Sequence, residues 1–323
     1  MNDRSTRTIK IGTRASELAL RQARIVEAAF EAQGLTCELV TFKTTGDKKL
    51  DEPLSTIGAK GLFTHELEVA LKKKKVDCCV HSLKDLPTEM PDGLDIGAVL
   101  EREDPRDVLV VNSVTGADSL SAIPAGSRVG TSSLRRRAQL TAIRPDLEVV
   151  ELRGNVPTRL KKVDQGQVHA AILAAAGLIR LDAQQHIKEF LEPPAWLPAA
   201  GQGAIAVQIR SDDDEMRTLL EPLHHAPTDV AVRAERAFLS ALEGGCQVPI
   251  GALTIYNPDG TATLHGFVSD LAGQDPVRGS WTLDIGAPEE SGRALAADLR
   301  TRGATSLLME LRNSQQLISP QPE

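Results

Sequence analysis

The stretch "IKIGTRAS", residues 9–16, runs from an apolar strand through a Gly-Thr junction toward a helix, and the chain contains a second copy of this arrangement. In "SRVGTSS", residues 127–133, a strand again reaches Gly-Thr, a small residue and a serine before a helical pattern. A strand that passes through a short polar junction into a helix is the repeating unit of α/β layers. Two such units far apart in one chain predict two similar α/β lobes.

The segments around the first junction alternate between strand and helix patterns. Ser16 is placed to cap a helix and Gly34 to end it, with apolar residues at helical spacing between them. These apolar residues are Leu18, Ile25, Val26, Ala29 and Phe30. "CELVTFK" (37–43) and "VDCCVHS" (76–82) are predicted strands, and "THELEVALKKKK" (64–75) is a predicted helix. The first lobe should therefore hold a parallel or mixed sheet.

The pattern restarts after "EREDPRD" (101–107), which we interpret as a boundary. The predicted strands that follow are "VLVVN" (108–112), "RVGTS" (128–132), "LEVVELR" (147–153) and "HAAILAAAG" (169–177), with helices over 133–144 and 156–166. The Pro/Gly-rich "EPPAWLPAAGQG" (192–203) interrupts the series before the strand "AIAVQIR" (204–210). From Thr228 a capped helix, three strand-like runs and two further helices predict a smaller α+β domain.

Length and composition place the chain among soluble globular proteins. It has 323 residues, of which 41% are hydrophobic and 25% charged. Its first thirty residues carry no apolar leader, and no apolar run reaches the length of a membrane span. The four cysteines have neither a disulfide framework nor zinc-site spacing. We therefore expect a cytoplasmic protein without a metal.

Basic residues are concentrated in one segment of an otherwise acidic chain. The net charge is −7, which argues against nucleic-acid binding. Between residues 128 and 162, three acids face nine basic residues: Arg128, Arg135, Arg136, Arg137, Arg144, Arg153, Arg159, Lys161 and Lys162. This concentration predicts a polyanionic ligand. For Arg137, Lys161 and Lys162 a solvated basic face is the preferred interpretation.

Both Gly-Thr junctions are candidate anion sites. Each puts hydroxyls and backbone N–H groups at a helix N-terminus, where the helix dipole favours negative charge. Arg14 lies in the first junction, and Arg135 and Arg136 follow the second by about one turn. An ordinary capped helix would explain either junction alone. Arginine adds planar, bidentate pairing with carboxylates or phosphates.

Two further stretches carry candidate chemistry. "HSLKDLP" (81–87) ends a strand and opens a loop, where Asp85 could accept an N–H, donate a proton or simply stabilise a turn. His81 has apolar neighbours and is interpreted as a core histidine. In "LEGGCQVPIG" (242–251), Cys246 is either a small buried residue or an accessible thiol. A Cys/His hydrolase and a two-lobed anion-binding protein both remain alternatives, although no acyl-enzyme signature accompanies the thiol.

Several blocks, in order between about Thr8 and Ala252, resemble the porphobilinogen deaminase (hydroxymethylbilane synthase) family. They are "TRASELALRQA", "KGLFTHELE", "VHSLKDLP", "EREDPRD", "GTSSLRRRAQL", "LRGNVPTRL", "AAGQGA" and "RAERAFLSALEGGCQVPIGA". The resemblance implies two lobes like those of periplasmic binding proteins and an α+β domain that bears the cysteine loop. It places residues 1–103 and 203–224 in the first lobe, 104–202 in the second and 225–323 in the third domain.

The same resemblance implies a transferase of haem biosynthesis. Such an enzyme condenses four porphobilinogen molecules head to tail into hydroxymethylbilane and releases ammonia at each step. It would use a dipyrromethane cofactor joined through a thioether to Cys246, because a soft thiolate adds readily to an electron-poor methylene. The resemblance further implies a monomer that passes its product to uroporphyrinogen-III synthase and binds neither nucleic acid nor membrane.

The family's site residues map onto matching positions of this chain. Asp85 corresponds to the catalytic aspartate. The cofactor-binding matches are Cys246, Lys84, Thr131, Ser133, Arg135, Arg136 and Arg159, and the substrate-binding matches are Arg14, Ser16, Arg153, Arg180, Phe63 and Lys60. The chain departs from the family at Cys78 and Cys79, where small apolar residues are usual, and at Gln208, where an acid is frequent. None of these departures falls on a catalytic match.

Overall fold

The structure is a computed structural model that describes residues 8–48, 62–242 and 248–310. Its strands are β1 (Thr8–Arg14), β2 (Thr36–Phe42), β3 (Cys78–Ser82), β4 (Leu94–Val99), β5 (Asp107–Val111), β6 (Arg128–Gly130), β7 (Glu148–Val150), β8 (Ala170–Ala174), β9 (Ile187–Leu191), β10 (Ile205–Arg210), β11 (Ile250–Tyr256), β12 (Ala262–Val268) and β13 (Val277–Thr282). Its helices are α1 (Glu17–Glu31), α2 (Thr45–Lys48), α3 (His65–Lys72), α4 (Leu134–Ile143), α5 (Val156–Asp164), α6 (Ala175–Arg180), α7 (Asp214–Leu220), α8 (Ala226–Ala241) and α9 (Pro288–Leu299).

Two five-stranded sheets with equivalent topology form the two lobes. The first has the order β2-β1-β3-β10-β4 and the second β7-β6-β8-β5-β9. In each sheet the fourth strand runs antiparallel to both of its neighbours, while the first three are parallel. β1 and β6, which carry the two Gly-Thr junctions, occupy the same position in their sheets. The predicted α/β architecture and the hint of an internal repeat are confirmed.

Helix α1 shows how the first junction is built. Ser16 has extended backbone angles and accepts a hydrogen bond from Ala19 N at 3.3 Å, so it is the N-cap that its position predicts. The buried stripe of α1 consists of Ala19, Gln22, Ala23, Val26 and Phe30. The expected apolar stripe was partly wrong, because Ile25 is 44% exposed. The small alanines allow α1 to lie close against the sheet.

The sequence patterns missed two strands, β4 and β9, and two helices, the short α2 and α6. β4 and β9 are edge strands of their sheets, and their polar residues (Asp95 in one, Lys188 and Glu189 in the other) hide the strand signal. The predicted strand over 169–177 is only half strand, since α6 begins directly at Ala175. An uninterrupted alanine run gives no turn signal at that point.

Two segments cross between the lobes and contact each other. One joins β4 to β5, and the other joins β9 to β10, which returns to the first sheet as expected. Glu103 N donates to Gly203 O at 3.2 Å. A Cβ at Gly203 would lie 2.3 Å from Glu103 O, and the φ of Gly203 is +89°. Only glycine permits this close approach of the crossing segments.

The third sheet, β11-β12-β13, is antiparallel and packs with α8 and α9 around its own apolar core. Val232 of α8 belongs to one buried apolar cluster with Leu83 and Leu86 of the first lobe. Leu253 and Phe267 of the third sheet share another cluster with Ala138 of the second lobe. This domain therefore supports both lobes. Within the residues that the structure describes, no helix is long and apolar enough to cross a membrane.

Candidate functional site

The two predicted junctions form equivalent helix N-termini at the ends of β1 and β6. Ser133 caps α4 by accepting a hydrogen bond from Arg136 N at 3.4 Å, as Ser16 caps α1. Thr131 Oγ1 accepts from Ser133 N at 3.2 Å, which stabilises the turn between strand and helix. The hydroxyls of these residues thus organise the helix starts that were predicted to face an anion.

Asp85, Arg14 and Phe63 lie together on the first lobe. Asp85 ends a 3-10 turn (Leu83–Asp85) that directly follows β3. Its Oδ2 is 3.9 Å from Arg14 Nη1, and both side chains remain partly exposed. The Arg14 guanidinium also lies 4.4 Å from the centre of the Phe63 ring. Asp85 therefore presents a carboxylate beside a cation that an aromatic ring orients.

Lys84 extends from the same turn toward the other lobe. Its Nζ donates to Gln202 Oε1 at 3.2 Å. Burial and the nearby charge of Arg136 lower the pKa of Lys84 to about 8, although Asp85 acts in the opposite direction. An amine whose charge is this poorly compensated is well suited to bind a ligand carboxylate.

Asp107, which the sequence did not single out, is the centre of the second lobe's charge network. Its fully buried carboxylate accepts hydrogen bonds from Arg135 Nη1 at 2.6 Å, from Arg136 Nη2 at 2.7 Å and from Arg136 Nε at 3.1 Å. Trp196 Nε1 and Gln202 Nε2 each add one at 2.8 Å. Burial alone would raise the pKa of Asp107, but the two arginines hold it well below its usual range.

Arg135 is buried although it follows the second Gly-Thr junction so closely. Only 5% of its side chain is exposed. Besides Asp107, its Nη1 donates to the carbonyl of Leu197 at 2.6 Å. Arg136 likewise donates to the carbonyl of Ile172 at 2.9 Å. The two arginines bind the chain's own oxygens, and this consumes part of their hydrogen-bonding capacity.

Arg159 and Arg153 extend the cationic surface on the second lobe. Arg159 Nε is buried and has no hydrogen-bond partner among the described residues. Burial, with Arg136 and Arg153 nearby, lowers the pKa of Arg159 to about 10, and the charge of Asp85 partly offsets this. A buried guanidinium nitrogen without an acceptor is costly unless a ligand supplies one. Carboxylates of a bound pyrrole cofactor would fit this donor set.

Of the remaining sequence-predicted residues, Arg180 lies against a crossing segment, and two others fall outside the described chain. Arg180, at the end of α6, donates to Gly203 O at 2.7 Å, and burial lowers its pKa. It therefore contacts a crossing segment. Cys246 and Lys60 lie outside the described residues. Within the described chain, no group of His, Cys, Asp and Glu side chains could hold a metal ion.

His81 is the buried core histidine that its neighbours predict. It is 5% exposed, and its Nε2 lies 3.1 Å from Gln208 Oε1. Burial lowers the pKa of His81 to about 4, despite the hydrogen bond to Gln208. A neutral, enclosed imidazole is not placed to activate a thiol.

Sequence reasoning also missed the polar groups that join the lobes. Gln202 is 1% exposed and contacts both Lys84 and Asp107. Arg102 forms an ion pair of 2.7 Å with the buried Glu235 of α8, and Glu235 also accepts from the backbone of Gly201. The Pro/Gly-rich break at 192–203 and the charged "EREDPRD" were the available signals, since both mark crossing segments.

The fold and the site together define a two-lobed α/β protein. Its site contains several arginines and one lysine near two aspartates, and such a set of cations suits a ligand with several carboxylates. Residues 9–218 match the family described as "Porphobilinogen deaminase, dipyromethane cofactor binding domain", and residues 230–301 match "Porphobilinogen deaminase, C-terminal domain". The chain belongs to the porphobilinogen deaminase family. This membership confirms the predicted family, the enzymatic class and the dipyrromethane cofactor.

Curated relatives match over nearly the whole chain. The porphobilinogen deaminase of Syntrophobacter fumaroxidans is 49% identical over 307 residues, which cover 94% of this chain and 98% of that protein. That of Moorella thermoacetica is 52% identical over 306 residues, with 94% and 96% covered. Among solved structures, a periplasmic substrate-binding protein of an ABC transporter from Coxiella burnetii is 15% identical, with a TM-score of 0.42 and 71% of this chain and 96% of that chain covered.

Proposed function

We propose that this protein condenses four porphobilinogen molecules head to tail into hydroxymethylbilane, in the cytoplasm and as a monomer. Porphobilinogen as the substrate follows from family membership. The observation that carries the site assignment is the buried Arg159 Nε, which has no hydrogen-bond partner among the described residues. The charge of Arg136 lies near both Arg159 and Lys84. Each pyrrole unit bears an acetate and a propionate, so a growing chain adds carboxylates that these cations can bind.

We infer the following roles for the site residues. Lys84, Arg135, Arg136 and Arg159, with the hydroxyls of Thr131 and Ser133, bind the carboxylates of the cofactor. Arg14, Ser16, Arg153, Arg180, Phe63 and Lys60 bind the substrate. Cys246 is the point of thioether attachment. We further propose domain bounds of 1–103 with 203–224, 104–202 and 225–323, and transfer of the product to uroporphyrinogen-III synthase.

Asp85 is the proposed catalytic residue. In each condensation the aminomethyl C–N bond of porphobilinogen breaks, a C–C bond forms, and the displaced ring proton balances the ammonia that leaves. The bound cofactor supplies the pyrrole carbon on which the chain is first built. The Asp85 carboxylate can accept the pyrrole N–H, oppose positive charge that develops on the substrate and accept the ring proton. The Arg14 guanidinium lies 3.9 Å from that carboxylate.

Two features argue against the alternatives. A Cys/His hydrolase would need an accessible imidazole beside a reactive thiol, but His81 is buried and its Nε2 lies against Gln208. Among the described cysteines, burial raises the pKa of Cys37 to about 11 and of Cys78 well above its usual value. A passive anion-binding protein would not need Asp85 beside the cations.

The experiment is incubation of the purified protein with porphobilinogen, followed by measurement of ammonia and of the pyrrole product. We expect one ammonia for each porphobilinogen consumed, together with a linear tetrapyrrole. Binding of porphobilinogen without release of ammonia would contradict the enzyme and favour a two-lobed binding protein.

A further inference from the structure

Arg236 of α8 attaches the loop that follows Asp85 to the third domain. Its Nη2 donates to the carbonyl oxygens of Pro87 at 2.6 Å and Thr88 at 3.2 Å, and its Nη1 to that of Leu86 at 3.5 Å. The sulfur of Met90 lies 4.0 Å from the same Nη2. One guanidinium thus binds three consecutive carbonyls immediately after the 3-10 turn that carries Lys84 and Asp85.

The same helix lies near that turn one helical turn earlier. Val232 is 1% exposed and belongs to one buried apolar cluster with Leu83 and Leu86, which flank Lys84 and Asp85 on either side. Residues four apart lie on one face of a helix, so Val232 and Arg236 present an apolar and a polar contact side by side. Helix α8 therefore lies beside the Asp85 turn and the loop after it. The helix ends at Ala241, five residues before Cys246 in the sequence.

The contacts of Arg236 are unusual for a partly buried cation. The partners given above are neutral, and burial lowers the pKa of Arg236 to about 10. A groove of about 310 Å³ lies beside it, lined by Thr88, Ala237, Ser240 and Ala241 among others. At the edge of this groove the guanidinium links the loop to α8 through hydrogen bonds.

We propose that Arg236 is a positioning residue for the condensation: it holds the Asp85 turn at a fixed place relative to the helix that leads to Cys246. This inference rests on the proposed function, because it concerns the geometry between Asp85 and the chain carried on Cys246. Small misplacements of a catalytic group reduce the rate strongly, even when the ligand still binds. Arg236 therefore acts on turnover through Asp85 without touching the substrate.

The test compares Arg236→Met and Arg236→Lys with Arg233→Met in the full-length, cofactor-loaded enzyme. Arg233 lies on the same helix and lines the same groove, but it is exposed and forms an ion pair of 2.6 Å with Glu289. We measure kcat and KM for porphobilinogen, the thermal midpoint, and the intact mass of enzyme-bound intermediates after a single addition of substrate. The mass distribution reports which condensation step slows. A residue that only stabilises the fold would leave this distribution unchanged in a variant that is fully folded.

For Arg236→Met we expect kcat to fall about tenfold or more with KM within about twofold, and early enzyme-bound intermediates to accumulate. Arg236→Lys should recover part of kcat, because an ammonium can still donate to these carbonyls, and Arg233→Met should match the wild type. A folded Arg236→Met protein with wild-type kcat would overturn the proposal. If Arg236→Met does not fold, wild-type kcat in Arg236→Lys would overturn it. A wild type that releases no ammonia would instead contradict the proposed function itself.

Discussion

The carboxylate of Asp107 and the guanidinium of Arg135 lie 2.6 Å apart, and the exposed fractions of the two side chains are 0% and 5%. Arg136 lies 2.7 Å from the other carboxylate oxygen. The first residue of β5 therefore neutralises part of the positive charge that the second lobe brings toward the ligand. The arginines can remain buried because Asp107 is ionised.

Replacement of Asp107 by Asn should destabilise the protein strongly. Both arginines would then be buried without a carboxylate, and removal of one partner of a buried pair costs about 3–5 kcal/mol. Urea denaturation would measure this loss. The matched control is Asp146→Asn. Asp146 pairs with Arg144 but is far more exposed than Asp107, so we expect this variant to lose little or no stability. Equal losses in the two variants would contradict the assigned role of Asp107.

The difference in unfolding free energy between the wild type and Asp107→Asn should decrease as the pH falls into the acid range. Since the folded-state pKa of Asp107 is held below its ordinary value of 3.8, its stabilising contribution is complete above pH 3.8. The contribution is lost as the pH falls below that value, at about 1.4 kcal/mol for each pH unit. Denaturation curves at several pH values would show a constant difference near neutrality and a shrinking one in acid. A difference that grows in acid would be inconsistent with this assignment.

Arg135→Leu and Arg153→Leu should separate folding from ligand binding. Arg135→Leu removes a partner of Asp107, so we expect a lower thermal midpoint and a loss of about 3–5 kcal/mol. Arg153 is only partly buried, so Arg153→Leu should fold normally but turn over porphobilinogen slowly, with about 1.5–3 kcal/mol of carboxylate binding lost. Thermal melts and turnover assays on both variants decide this. Wild-type turnover by Arg153→Leu would reduce Arg153 to a solvated surface residue.

Lys84 should limit cofactor assembly at alkaline pH. Its pKa of about 8 means that the ammonium, which is the form that binds a carboxylate, is lost as the pH rises through 8. The rate at which cofactor-free protein becomes loaded with porphobilinogen should fall above that pH. An arginine keeps its charge in this pH range. Lys84→Arg should therefore show little decrease of the loading rate above pH 8, even if its overall rate is lower. The same alkaline decrease in Lys84→Arg as in the wild type would show that another group causes it.

Asp85→Asn should lose most activity, because it keeps the shape of the side chain but not the charge. We expect Asp85→Ala to behave similarly and Asp85→Glu to retain some activity, since its carboxylate survives at a displaced position. Single-turnover kinetics with porphobilinogen on cofactor-loaded variants measures the chemical steps apart from product release. If Asp85→Asn reacts within a few-fold of the wild type, negative charge at Asp85 does not drive the reaction.

Local patterns predicted the parts of the fold that local chemistry controls. Ser16 and Gly34 delimit α1 because capping and left-handed backbone are properties of single residues, and Ser133 caps α4 for the same reason. β4 escaped prediction because an edge strand can mix polar and apolar residues without a regular period. All six residues of β4 are buried or half-buried, so no exposed face alternates with a buried one to give a period of two.

Site residues whose own side chains indicate their function could be predicted from the sequence. Residues whose function depends on their contacts with distant residues could not. The arginines of α4 were visible as a charge cluster, but their pairing with Asp107 depends on a contact between β5 and a helix 28 residues away. Gln202 carries no charge and lies in a Pro/Gly-rich segment, so nothing local marks it as the residue that joins Lys84 to Asp107. Such long-range contacts follow only from the assembled lobes.

The most direct test of the central claim is the intact mass of the purified protein, combined with peptide mapping. The account predicts a mass above that of the sequence by two linked pyrrole units, with the excess on the peptide that contains Cys246 and not on those with Cys37, Cys78 or Cys79. Cys246→Ser should fold, have the bare sequence mass and be inactive. A wild-type protein that is unmodified and still converts porphobilinogen would contradict the account.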